Sequence, residues 1–278
     1  MTNWYPGHMA KAKRKLKEDL KLIDLVLEMI DARIPASSKN PDFEEFIKGK
    51  EKIIILNKRD LASKEVTKRW KKYFEKESQV IALNSKEGKG INELLEIINI
   101  KQKKLFKKAE KKGKRNKKIR IMVLGIPNVG KSALINALGK RARAKTGDRP
   151  GITRGKQWIN IKKNVVLLDT PGLLWPMIED ESRAYRLAVT GAIDIKQFDE
   201  ERVAYQLLKD IINHNPEIIM DNYKIDINGM HPYDVFLEIG KKRGCLMSGG
   251  KVDKNRVSKL FIKDFQKGKL GAFTLENP

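Results

Sequence analysis

Cysteine is almost absent. Cys245 is the one thiol in 278 residues, so no internal disulfide can form, which fits a reducing compartment. No His or Asp arrangement marks it as a nucleophile. Histidine is scarce too, with three in the chain, and no zinc spacing occurs. No apolar run approaches the roughly 18 residues of a membrane-spanning helix. The N-terminus has no signal-peptide core, and an informative motif already begins at Trp4, so no cleaved presequence is expected. These absences predict a cytoplasmic protein without stable membrane association. Acidic residues are also short: 35 Asp+Glu face 59 Lys+Arg, for a net charge of +24. Such an excess attracts polyanions and disfavours self-association, so a monomer is expected, but it says nothing about fold.

What is present suits two domains, since 40% of the residues are hydrophobic and the length exceeds one small domain. Residues 8–20 read as a basic amphipathic helix. A strand follows over Leu22–Ile30, ending at Asp31, and Pro35–Pro41 reads as a polar loop. Lys52–Leu56 is a short apolar run suited to a buried parallel strand. A helix is predicted over 63–77 with Ser63 as N-cap, a strand over Gln79–Leu83 and a helix over Ile91–Phe106. Lys101–Arg120 carries twelve Lys/Arg and one acidic residue, Glu110, so residues 101–118 form a solvated helix tail or a basic linker. A strand over Ile119–Leu124, a helix ending near Gly139, a basic loop over 140–156 and a hairpin of Gln157–Ile161 with Val165–Leu168 follow. Beyond about residue 178 the strand signal disappears. Helices fit 181–191, 199–213, 231–243 and 253–267, with Asp199 and Asp253 as N-caps and Gly244 and Gly268 as stops. Residues 1–177 therefore read as an α/β domain and 178–278 as a small all-α domain.

Three motifs carry the chemistry. Gly125–Ser132, GIPNVGKS, follows an apolar strand and opens a helix, the context a P-loop requires. Its loop would wrap phosphates, with Pro127 shaping the turn and the backbone N–H groups of Asn128, Val129, Gly130 and Ala133 donating; Lys131 would reach the β/γ-phosphates, and the Ser132 hydroxyl would bind Mg²⁺. DTPG at Asp169–Gly172 ends a second apolar strand. Asp169 would hold Mg²⁺ through water and the Gly172 N–H would meet the γ-phosphate. NKRD at Asn57–Asp60 supplies base specificity: Asp60 can accept from N1–H and the 2-amino group of guanine, whereas ATP would leave the acid unpaired at a cost on the order of several kcal/mol. Asn57 would hydrogen-bond within the pocket, and the Lys58 stem would pack on the base. Ser85 and Lys86, ending the next strand, are candidates to close that pocket. Thr153 is the best switch threonine for Mg²⁺ and γ-phosphate, with Thr146 its nearest competitor.

The order of these motifs is the unusual feature. Ordinary GTPases run P-loop, switch threonine, DxxG, then NKxD; here NKRD comes first and the P-loop later. A parallel sheet keeps its strand neighbours if the natural termini are joined and the chain is cut at a surface loop. The fold class expected is a circularly permuted Ras-like P-loop GTPase domain followed by a small all-α domain. A Ras-type enzyme orients water with a glutamine after DxxG. Here Leu173 takes that position and Leu174 and Trp175 follow, so hydrolysis by the chain alone should be slow.

The permuted order, together with WYPGHMAKA at Trp4–Ala12, DARIPASSKNP at Asp31–Pro41 and the closing DFQKGKLGAFTLE, resembles the bacterial ribosome biogenesis GTPase A family (YlqF type). The resemblance implies a helical RNA-binding domain after the GTPase domain and a GTP-hydrolysing assembly factor. That factor would bind the large ribosomal subunit precursor and its rRNA, be stimulated by the large subunit, promote its late maturation and leave after hydrolysis. It suggests His8 as the group that supplies what the missing glutamine does not; a backbone-capping or RNA-contacting histidine is the alternative. It also makes Asn128 a candidate K⁺ ligand. GTP/GDP, Mg²⁺ and K⁺ are thus the cofactors to test. His214 and His231 read as structural. Four basic blocks, Lys11–Lys21, Lys101–Arg120, Lys140–Lys156 and Lys241–Lys269, together favour nucleic acid. The rival reading is a membrane-surface or general RNA-binding GTPase not activated by the ribosome. The lack of a lipidation motif or a large apolar helix face weighs against the membrane.

Overall fold

The computed structural model describes residues 14–111, 113, 118–139, 157–162, 164–169, 178 and 180–278. Two compact units divide the chain: Met1–Ile178 with Glu276–Pro278, and Glu179–Leu275. The last three residues thus return to the first unit.

That first unit is built on a six-stranded sheet in the order β3-β2-β1-β4-β6-β5. The strands are β1 (Leu25–Asp31), β2 (Glu51–Asn57), β3 (Gln79–Ala82), β4 (Ile119–Gly125), β5 (Gln157–Lys162) and β6 (Val165–Asp169). All neighbours are parallel except β5, which runs antiparallel to β6 at one edge. The centre explains the sequence: β1 is buried along its whole length, as expected of a parallel strand covered on both faces. The chain winds from β1 toward β2 and β3 on one side and from β4 toward β6 and β5 on the other. A crevice therefore opens at the carboxyl ends of β1 and β4, where ligands bind in such sheets. Opposite pairs set its depth, Asp31 with Asn57 and Met29 with Gly125.

Helices cover the sheet. Residues 14–20 belong to helix α1, whose Leu16 and Leu20 pack with Ile23, Val26, Phe43, Ile47, Met122 and Leu124. Helix α4 (Lys64–Glu75) is capped by Ser63, which accepts from the Val66 N–H. It buries Trp70 and Phe74, stacked at 5.3 Å, against Ile30, Ile54 and Leu56. Helix α5 (Ile91–Glu110) runs beyond the expected Phe106, so part of the basic stretch is a helix tail.

Two expectations are corrected. The first strand begins at Leu25, not Leu22, because the N–H groups of Lys21, Leu22 and Ile23 bond back to Glu18, Asp19 and Leu20. The expected loop at 35–41 is instead a short helix, α2 (Pro35–Ser38), and the start of another, α3 (Pro41–Phe46). In both a proline stands early in the helix, where its missing N–H costs nothing.

The second unit is helical: α7 (Glu181–Val189), α8 (Glu200–His214), α9 (Glu217–Tyr223), α10 (Pro232–Lys242) and α11 (Lys254–Gln266). Asp199 and Asp253 cap α8 and α11 as predicted. Helix α9 went unpredicted; it is held by the burial of Ile219 and Tyr223 rather than by length. Val257, Phe261 and Phe265 of α11 lie in the core of this unit with fully buried Cys245, whose thiol is pushed up by burial. His231 caps α10 and His214 bonds the Asp210 carbonyl.

Candidate nucleotide-binding site

The P-loop motif turns out of β4 at Gly125 and enters α6 (Lys131–Leu138). Two of its residues have left-handed backbone, Asn128 at φ 56° and Gly130 at φ 107°. Gly130 is required for a second reason: a Cβ there would stand 2.2 Å from Nδ2 of Asn57. Val129 is buried, and Ser132 and Ala133 occupy the first turn of α6. The Lys131 side chain folds back along the loop. Its ammonium donates to the Gly125 and Ile126 carbonyls at 3.1 and 2.8 Å.

Asn57, at the end of β2, joins the motifs. It is 1% exposed. Its Nδ2 donates to the Val129 carbonyl at 2.7 Å and its Oδ1 accepts from the Ser85 N–H at 3.0 Å. One amide thus ties NKRD, the P-loop and the Ser85 segment, which the sequence places 72 and 28 positions apart. The Arg59 N–H adds a bond to the Leu83 carbonyl. Asn84 shapes the Ser85–Lys86 turn, accepting from the N–H groups of Lys86 and Glu87 at 3.0 and 3.1 Å. Ser85 is buried, while Asp60 and Lys86 are exposed.

Lys58 has left-handed backbone, φ 60°, and its ammonium reaches Asp31 at 2.8 Å. Asp31 also takes a two-pronged bond from Arg33, at 2.9 and 2.7 Å, and both residues are almost wholly buried. Burial would raise the Asp31 carboxyl, but Arg33 and Lys58 outweigh it and hold it well below the usual carboxylate range. Burial pushes the Lys58 ammonium down against the pull of Asp31. Residue types alone hid this arrangement. The signal was an acid ending a mostly apolar strand, two residues before an arginine.

Asp169 ends β6, the strand bonded to β4. His8, Thr146, Thr153, Gly172, Leu173, Leu174 and Trp175 lie outside the described residues. Among the described residues no three His, Cys, Asp or Glu gather to hold a metal.

Known proteins resemble this chain in sequence and in fold. The model of a family described as 50S ribosome-binding GTPase matches residues 120–222. Ribosome biogenesis GTPase A of Bacillus licheniformis is 46% identical over 99% of this chain and 98% of its own length, and that of Bacillus cereus 45% over 99% and 93%. The chain belongs to the ribosome biogenesis GTPase A family. Two solved structures of YlqF from T. maritima share the fold. The GNP-bound form is 30% identical with a TM-score of 0.69, over 96% of this chain and 98% of that one. The GDP-bound form is 28% identical with a TM-score of 0.68, over 95% and 99%. The fold of this family, an α/β sheet with a helical region after it, is the one found here, with the P-loop downstream of NKRD.

Proposed function

We propose that this chain hydrolyses GTP as an assembly factor that binds the large ribosomal subunit precursor, promotes its late maturation and leaves after hydrolysis. The observation that carries this reading is the Asn57 amide, which holds the guanine motif, the P-loop and the Ser85 turn at one end of the sheet. Family membership supports the ribosomal role.

In this reading Asp60 recognises the guanine edge, the Lys58 stem covers the base, and Ser85 and Lys86 close the pocket. Backbone N–H groups of residues 128–133 and the Lys131 ammonium bind the phosphates. Lys131 need only swing from two neutral carbonyls to a charged acceptor, where its bonds become stronger. Ser132, Thr153 and Asp169 would hold Mg²⁺, which when bound neutralises charge on the β- and γ-phosphates. Gly172 would contact the γ-phosphate and Asn128 would help hold K⁺. His8 orients the attacking water, its neutral ring being able to accept a proton near pH 7. The place of action is the cytoplasm and the working form a monomer; no described helix is long and apolar enough to cross a membrane.

The experiment is GTP turnover in K⁺ and in Na⁺ buffer, with and without purified large or small ribosomal subunits. Stimulation by large subunits alone, lost in Lys131→Ala, is expected. His8→Ala should then bind GTP but lose the stimulated rate. Tight guanine binding with no stimulation would remove the ribosome as the direct activator and turn the search to other RNAs and to vesicles.

A further inference from the structure

The closing residues of the chain have no part in the chemistry above, yet one of them is tied to the guanine motif by an unbroken chain of bonds. Glu276 is 7% exposed and belongs to the α/β unit, though the residue before it belongs to the helical one. Its carboxylate covers the start of α2. It accepts from the Ala36 N–H at 2.7 Å, from the Ser37 N–H at 3.1 and 3.2 Å, and from the Ser37 hydroxyl. The Glu276 carbonyl is held by the Trp70 indole N–H at 3.1 Å, and Asn277 by Arg69 at 3.1 Å.

Helix α2 needs this acceptor. Its four residues are too few to form a helix unaided. The residue at its N-cap is Ile34, which offers no side-chain oxygen to the first N–H groups. A helix start ordinarily finds such an acceptor at that position; here it comes from 239 residues later in the chain. A negative charge at this end also suits the helix dipole.

From α2 the path runs to the base pocket. The last residue of α2, Ser38, accepts the Asp31 N–H on its hydroxyl at 3.0 Å. The Asp31 carboxylate holds the Lys58 ammonium at 2.8 Å. Every link joins buried or part-buried groups, so water does not readily replace them.

We infer that Glu276 is a positioning residue for guanine-nucleotide binding: by holding α2 it aims Lys58 through Ser38 and Asp31. This rests on the reading of Asn57–Asp60 as the base pocket. The affinity for guanine nucleotide is then set in part at the very end of the chain. By reciprocity, bound nucleotide protects that end from release.

The test is a double-mutant cycle on the full chain, read as the dissociation constant of a fluorescent GDP analogue with the ADP analogue as control. Glu276→Ala should weaken GDP about ten-fold. Glu276→Gln, which keeps an oxygen acceptor, should weaken it less. In a Lys58→Ala background the same Glu276→Ala change should alter affinity by less than about two-fold, because the residue it acts through is gone. A purely structural role would give the same loss in both backgrounds, and that outcome overturns the inference, as does an unchanged affinity in Glu276→Ala. Should Glu276→Ala fail to fold, Glu276→Gln carries the same cycle, with thermal melting monitored alongside. A wild-type chain that binds GDP no better than the ADP analogue sinks the pocket reading itself, which is a separate result from a normal pocket indifferent to Glu276.

Discussion

Asn57 shows how much one side chain can organise. A buried amide with both ends bonded specifies the spacing of three loops, and removing it would leave Val129 and Ser85 without those partners. Glu28 is its opposite. It lies in the middle of β1, 1% exposed, and neither carboxylate oxygen has a hydrogen-bond partner. Its nearest cation is the Lys52 ammonium at 3.8 Å. Burial raises its pKa from 4.5, more than Lys52 and Lys39 lower it. The folded chain therefore keeps a proton that the unfolded chain has lost between pH 4.5 and the higher folded value. Stability falls as pH rises through that window and stays lower above it. Glu28→Gln should abolish this loss. Melting curves from pH 4 to 8 should show the variant equal to wild type at the acid end and more stable at neutral pH. Parallel pH curves for the two proteins would count against it.

At the scale of elements, the sheet is governed by burial and the helices by what they meet. The four central strands are mostly apolar because helices cover the sheet, with Glu28 the buried exception in β1. In the helical unit, Gly240 lets α10 approach its neighbours: a Cβ there would lie 2.5 Å from Val252 and 2.7 Å from Val257 of α11. Alanine would gain up to about 1 kcal/mol of helix propensity. Overpacking typically costs about 1–3 kcal/mol, and valine side chains are too short and stiff to swing aside, so the clash should win. Gly240→Ala is expected to lower stability by about 1–2 kcal/mol, read as a lower denaturant midpoint with an unchanged slope. A midpoint equal to wild type or higher would show that the helices can part at little cost.

For the whole molecule, permutation leaves the sheet order intact while changing which chain segments join the strands. Each motif loop still emerges at a carboxyl end, since a strand's neighbours are set by pairing and burial rather than by chain order. Charge acts on the same scale. With 59 Lys+Arg against 35 Asp+Glu, association with rRNA or large subunits should release counterions, and its logarithm should fall linearly with that of salt concentration. Between 50 and 200 mM salt a contact with about six phosphates loses about a thousand-fold in affinity. Filter-binding or sedimentation across that range measures the slope. A flat response would mean that the basic blocks do not face nucleic acid.

The sequence by itself determined the motifs, their permuted order, the buried strands and the helix caps at Ser63, Asp199 and Asp253. Each of these depends on a local pattern: a glycine spacing, an apolar run, or an Asp before a helix. It also pointed through DARIPASSKNP and the closing DFQKGKLGAFTLE to the family. Only the tertiary structure decided what those two segments do for the fold. The expected loop at 35–41 is helical at its start, where a carboxylate from late in the chain accepts from its first N–H groups. Lys58 is anchored because an acid 27 positions earlier faces it across paired strands. Partners so distant leave no periodicity in the chain, and they become neighbours only when the sheet forms.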